Sequence, residues 1–203
     1  LPILLRSDTP LIDTRSPTEF AKGSLPTAVN LPLMNNEERE AVGRCYKKHG
    51  QGAATRLGHE LVSGNLREER IRAWQTFAKR HPDGALFCFR GGLRSEIAQQ
   101  WLQHAGVDFP RIKGGYKAMR RWLIDTSDNL ISNGHLLLVG GPTGAAKTRL
   151  LNEGNAGKPI PGSIDLEGLA NHRGSAFGRR GTEQPTQISF ELAFGTQLIR
   201  SEE

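Results

Sequence analysis

Cysteine is nearly absent. Cys45 and Cys88 are the only two in 203 residues, too few for a disulfide framework. In a reducing compartment both are expected to be free thiols, and no Cys/His spacing suggests zinc, so no metal centre of that kind is expected. No apolar run reaches the length of a membrane span and no charged-then-apolar segment opens the chain; the expectation is a cytoplasmic protein without a membrane partner. No internal repeat or low-complexity segment is visible. The first residue is Leu1 rather than methionine, and Glu203 falls inside a helical pattern, so the chain is expected to be a fragment. Hydrophobic residues, at 36%, are enough for a core. The net charge of +6 suits a polyanionic partner, although such an excess also serves solubility.

The densest chemistry lies between Ala85 and Ser95. Ala85-Leu86-Phe87 reads as a buried strand, Cys88 follows it, and a turn containing Arg90, Gly91, Gly92 and Arg94 opens a helix at Ser95. Backbone N–H groups of such a loop, with a helix N-terminus behind them, form a cradle for an anion. Two arginines add fixed positive charge. A thiol in that setting is expected to be largely thiolate near neutrality, ready to attack or carry an electrophilic group. The competing reading, a structural thiol at a strand end, has no use for two arginines and two glycines.

Around this loop, strands alternate with helices. Leu11-Ile12 is a short strand leading to Asp13-Thr14-Arg15, whose charged pair is expected to be structural, and Ser16–Phe20 reads as a capped helical turn. Pro26–Pro32 holds a second strand. Helices are predicted over Asn35–Lys48 and Glu60–Arg80, and from the Cys88 loop through Gln103. Phe109–Ile112 is a short strand entering Gly114-Gly115-Tyr116, after which Lys117, Arg120 and Arg121 share a basic helical face, by default a solvated one. The alternation predicts an α/β domain with a mainly parallel sheet over residues 1–126 and a polar, turn-prone linker over 127–134. A second, partial domain over 135–203 starts with a buried strand, His135–Val139, running into a P-loop-like segment. In that pattern Gly141, Thr143 and Gly144 belong to the loop, Lys147 is the phosphate group and Thr148 the magnesium group. Ala146 stands where the second glycine belongs, and its Cβ is expected to weaken nucleotide or diphosphate binding. Asp165–Gly178, with His172 and Arg173, reads as a functional loop of undefined chemistry.

Asp13-Thr14-Arg15 through Asn30-Leu31-Pro32, the Cys88 loop and Gly114-Gly115-Tyr116 together resemble a rhodanese domain, whose cysteine carries a sulfur or selenium atom. With the P-loop, Leu33–Arg39 and the Asp165–Gly178 block added, nearly the whole chain resembles the tRNA 2-selenouridine synthase family, a rhodanese domain fused to a P-loop NTPase-like domain that continues far beyond residue 203. The resemblance implies a transferase acting on wobble 2-thiouridine of tRNA. A geranyl group from geranyl diphosphate is placed on the sulfur, and selenium from selenophosphate then replaces it, with Cys88 as the catalytic residue. Both donors are co-substrates, with no tightly bound cofactor and with magnesium admissible at the P-loop. tRNA is the implied partner, and Lys117, Arg120, Arg121, His172 and Arg173 are candidate contacts to it.

Cys88 to Arg94 reads C-x5-R. That is one residue longer than the usual sulfur-transferring rhodanese loop and equal to that of cysteine-dependent phosphatases, and the wider ring suits a tetrahedral anion such as selenophosphate. Two alternatives stay open: a phosphatase in which Cys88 attacks a phosphoester and Arg94 clamps the group, and a non-catalytic binding module.

Overall fold

The computed structural model describes residues 2–142, 144–172 and 181–201. In chain order the elements are α1 (Pro2–Arg6), β1 (Leu11–Asp13), α2 (Pro17–Ala21), β2 (Ala28–Asn30), α3 (Asn36–Leu61), α4 (Gly64–Arg80), β3 (Ala85–Phe87), α5 (Leu93–His104), α6 (Gly115–Asn133), α7 (Lys147–Glu153), α8 (Leu166–Leu169) and α9 (Gln187–Arg200). They fall into two compact units. One holds residues 7–22 and 27–119; the other holds 1–6, 23–26 and 120–203.

The first unit is an α/β layer structure on a parallel sheet of order β2-β1-β3. Every residue of β1 and β3 is buried, as expected of parallel strands covered on both faces. The predicted strand at Phe109–Ile112 is reduced to a single parallel bridge, Leu86 with Arg111, because Pro110 has no N–H to extend a ladder. The chain steps from β1 to one side for β2 and to the other for β3. The carboxyl ends of β1 and β3 thus form a topological switch point, where open α/β sheets place ligands. Asp13 closes β1 there, and Cys88 follows β3 directly.

The core of this unit gathers Ile12 and Leu86 from the sheet with Trp74, Phe77, Trp101, Leu102 and Phe109. Trp74 is 1% exposed and its indole N–H donates to the Leu31 carbonyl at 2.9 Å, tying α4 to the segment after β2. α3 starts at an Asn35 capping box with Glu38, and Arg70 from α4 reaches back to the Glu38 carboxylate at 2.8 Å and to the Leu33 carbonyl. Helix α3 extends beyond the predicted end at Lys48. It bends at Gly50, where φ is 77°, and continues to Leu61, so that the segment from Glu60 belongs to it and not to α4.

The second unit packs α1, the later part of α6 and α9 through Leu5, Leu123, Leu192, Leu198 and Ile199. Gly195 lets α6 and α9 approach closely, since a Cβ there would stand 2.8 Å from Ser127 Oγ. Two expectations fail here. Residues 127–133, read as turn-prone, are helical, because Leu123 and Ser127 are buried along the same face. His135–Val139, read as a buried strand, forms no strand among the described residues, and Leu137 and Leu138 are 91% and 85% exposed. A strand forms only where a neighbouring strand takes up its backbone hydrogen bonds, and none flanks this run among the described residues. No helix among the described residues is long and apolar enough to cross a membrane.

Replacing Trp74 with Phe leaves the half-buried Leu31 carbonyl without its donor. It is expected to cost about 2 kcal/mol or more in urea unfolding; a loss under about 0.5 kcal/mol would show that this bond does not hold α4 to the sheet side.

Candidate active site around Cys88

The cysteine is positioned from behind by β1. Thr14 donates twice to the Phe87 carbonyl, from its N–H at 2.9 Å and its hydroxyl at 2.8 Å, which pins the residue preceding Cys88. Asp13 and Arg15 form a buried pair: Arg15 Nη2 lies 2.6 Å from Asp13 Oδ2, its Nε donates to both oxygens, and its backbone N–H donates to Oδ1 at 2.9 Å. Burial pushes the Asp13 carboxyl up from its ordinary value, against the pull of Arg15. The Arg15 guanidinium lies 3.7 Å over the ring of Tyr116, so the same pair anchors the start of α6. The charged pair expected from the sequence is thus formed.

From the front the loop is held by Gly114-Gly115-Tyr116. Gly115, with φ of 56°, sits so close that a Cβ would stand 2.1 Å from the Cys88 carbonyl oxygen, and one on Gly91 would stand 2.6 Å from Gly114 N and Ile112 O. Tyr116 N donates to the Cys88 carbonyl and Lys117 N to the Phe89 carbonyl, each at 2.9 Å. Arg111 reaches the Gly91 carbonyl. The loop's carbonyls are therefore engaged by α6 and its approach. Among the described residues, no backbone N–H from Phe89 to Arg94 donates to another backbone or side-chain group. The last two of these donors belong to the first turn of α5, which leaves its N–H groups without helical partners in any case.

The thiol that precedes these donors is 2% exposed, with Sγ 3.2 Å from Ser95 Oγ and 3.8 Å from the Gly92 carbonyl, which also accepts from Ser95 Oγ at 3.0 Å. Ser95 fixes the sulfur. Arg90 is exposed and forms no ion pair among the described residues. Arg94 is engaged: its guanidinium grips Glu19 at 2.5 and 3.1 Å. Glu19 also accepts from Ser16 N at 3.0 Å and lies 4.0 Å from Arg39. Burial alone would raise the Glu19 pKa, but the hydrogen bond and charge of Arg94, helped by Ser16 and Arg39, hold it below the ordinary glutamate value. The loop's positive field thus comes from backbone N–H groups and Arg90, with Arg94 largely neutralised. Glu19 was not anticipated as part of the site. Its capping role at α2 was legible, but its second partner is 75 residues away.

In the other unit, Lys147 Nζ folds back onto its own loop, donating to the carbonyls of Gly141 at 3.0 Å and Pro142 at 3.2 Å. Gly144 has φ of 85°. Ala146 has φ of 56°, the left-handed conformation that glycine adopts freely and alanine does not, so the missing glycine is a backbone cost as well as a steric one. Thr148 lies in the first turn of α7. Among the described residues no cluster of acidic, Cys or His ligands stands beside it to complete a magnesium site. Thr143 and Arg173 lie outside the described residues. Of the other candidate tRNA contacts, Lys117 is exposed in the unit with Cys88 and His172 is half-buried. Arg120 bridges Glu191 at 3.5 Å and Arg121 pairs with Asp125 at 3.6 Å, so the basic face is largely paired.

A parallel sheet with a cysteine loop at its switch point defines a rhodanese-like α/β domain, and the chain belongs to that family: the rhodanese-like domain matches residues 4–121. Residues 134–203 match the tRNA 2-selenouridine synthase AAA domain, the P-loop NTPase-like neighbour. Across both, the chain is similar to curated proteins named tRNA 2-selenouridine synthase. The protein from Marinobacter nauticus is 53% identical over 98% of this chain and 52% of its own length; that from Hahella chejuensis is 56% identical over 97% and 50%. The one from Photobacterium profundum is 52% identical over 98% and 53%. The chain spans about half the length of the curated relatives it matches.

Two measurements bear on these geometries. A depressed Glu19 pKa stabilises the fold above the ordinary value of 4.5, and that contribution is lost as pH falls through the lower folded-state value. The stability gap between the protein and its Glu19→Gln variant in urea should therefore be open at neutral pH and close as pH drops below 4.5; a pH-independent gap would contradict the ion pair. Ala146→Gly should raise affinity for inorganic diphosphate about fivefold, corresponding to about 1 kcal/mol of relieved backbone and steric cost. Unchanged affinity by calorimetry would clear Ala146 of limiting the loop.

Proposed function

We propose that the protein acts in converting wobble 2-thiouridine of tRNA to 2-selenouridine. Selenium comes from selenophosphate, the route passes through S-geranyl-2-thiouridine made from geranyl diphosphate, and Cys88 is the catalytic thiol. The observation that carries this reading is the row of unpaired N–H donors from Phe89 to Arg94 that directly follows a thiol held by Ser95. Oxygens of a tetrahedral phosphate-type anion can accept from such donors while its selenium faces Sγ, with Arg90 free to add charge and the α5 N-terminus behind. The names of the relatives supply the tRNA and selenium chemistry; the loop supplies a place for an anionic donor. The P-loop-like segment, with Lys147 as a point charge, suits the diphosphate of the geranyl donor. Lys117, whose own N–H is bonded to the cysteine loop, is the basic residue best placed to meet a tRNA phosphate, whereas Arg120 and Arg121 would first have to leave their carboxylates.

The phosphatase alternative is less favoured. It needs Arg94 to clamp the transferred group and a protonated carboxylic acid for the leaving group, but Arg94 is held bidentately by Glu19 and that carboxylate is kept ionised.

Cys88→Ser is nearly isosteric and should abolish 2-selenouridine formation from thiolated tRNA, geranyl diphosphate and selenophosphate, read by mass spectrometry of the nucleosides. Cys45→Ser, in a half-buried helix position, should keep most of it. Equal loss from both changes would overturn the assignment of Cys88.

A further inference from the structure

The bend of α3 at Gly50 leaves a groove beside the cysteine loop, about 320 Å³ in volume. Val42 and Tyr46 line it from before the bend, Ala54 and Thr55 from after it, and Leu93 and Ile97 from α5. Small side chains after the bend make the room: Ala54 presents a methyl group, and Gly58 none at all. Arg94 closes one side, and Leu93 and Arg94 are also the last two donors of the Cys88 loop, so groove and loop share a wall. Tyr46 is 57% exposed and Leu93 42%, which leaves large apolar side chains facing solvent at the rim. The lining is mostly apolar, with Gln51, Thr55 and His59 on α3 and Arg94 where the groove meets the Cys88 loop, which suits a ligand with an apolar tail and a polar head. At roughly 30 Å³ per water-sized group, the groove takes about ten heavy atoms.

We propose that this groove holds the apolar chain of a prenyl-bearing substrate, a branched chain of about ten carbons, with its polar head at the Cys88 loop. This rests on the function proposed above and deepens it, by placing the geranyl chain in the unit that carries the thiol. The chain lies along α3 between Tyr46 and Thr55. Its first carbons pass Leu93, so that the sulfur bearing it stands beside the loop. Selection is by length: a methyl group reaches only Leu93, whereas a ten-carbon chain covers the wall as far as Ala54. Each fully buried methylene strengthens binding about fourfold, so even partial burial of the added carbons gives a tenfold preference or more.

Calorimetry with S-geranyl-2-thiouridine and S-methyl-2-thiouridine nucleosides tests this, with geranyl diphosphate and inorganic diphosphate run alongside to show which head group brings the chain. The geranyl member of at least one pair should bind at least ten times more tightly than its chainless partner. Thr55→Phe, which fills the groove, and Tyr46→Lys, which sets a charge on its exposed rim, should each remove most of that preference and leave the chainless ligands unaffected. If Thr55→Phe fails to fold by circular dichroism, Tyr46→Lys decides, since its side chain is mostly outside the core. Absence of any chain preference, or a preference that survives in the folded variants, overturns the proposal; so does one abolished by Lys147→Ala instead, which would put the chain in the other unit. Selenium transfer measured on the same preparation separates the two readings. A protein that forms 2-selenouridine without chain preference overturns the groove alone, and one with groove-dependent preference that forms none overturns the reaction alone.

Discussion

Between Gly115 and the Cys88 carbonyl there is room for a hydrogen atom and nothing larger. That contact decides the state of the loop. With α6 starting so close, Tyr116 and Lys117 take the carbonyls of Cys88 and Phe89, and Arg111 takes that of Gly91, so the loop's acceptors are consumed on one side. Its donors are left over on the other. A run of N–H groups without protein partners gives up hydrogen bonds that the rest of the fold must make good. Here the support is Thr14 holding Phe87, and the Asp13–Arg15 pair holding Tyr116 from below.

Several of the arginines that matter here are paired locally. The chain is basic as a whole, yet Arg94, Arg70, Arg120 and Arg121 each lie beside a carboxylate. The anion cradle proposed around Cys88 would consequently draw on backbone dipoles more than on guanidinium groups, and less on the rotamers of long side chains. Arg94 acts as a strut: by binding Glu19 it ties the first turn of α5 to the first turn of α2, and it forms one wall of the groove over α3.

Much of this was legible in the sequence because it is local. An apolar triplet running into Cys-x-Arg-Gly-Gly-x-Arg reads as strand, loop and helix by propensity alone, and the three parallel strands fall where the apolar stretches lie. The double-glycine turn was visible as a turn but not as the loop's outer wall, since that contact joins residues far apart in the chain. Three things were misread for physical reasons. The partner of Arg94 is a helix-capping glutamate whose local role already accounted for it. The stretch from Ser127 is rich in turn formers, yet burial of Leu123 and Ser127 carries the helix through it. His135–Val139 has the composition of a central strand but lacks strands beside it among the described residues. The groove could not be read at all, because the sequence ends that helix at Lys48 and Gly50, just beyond, does not announce that the helix bends there and continues.

The central claim is that the N–H groups of Phe89 to Arg94 form one anion site above Cys88, and backbone amide NMR tests it most directly. Adding inorganic thiophosphate to the nitrogen-15-labelled protein should move the amide signals of Phe89, Arg90, Gly91, Gly92, Leu93 and Arg94 together, with one shared saturation curve, while those of the distant α4 stay in place. If these six signals stay still at saturating thiophosphate, or move no more than exposed amides elsewhere, the loop is not an anion cradle and the account of Cys88 fails with it.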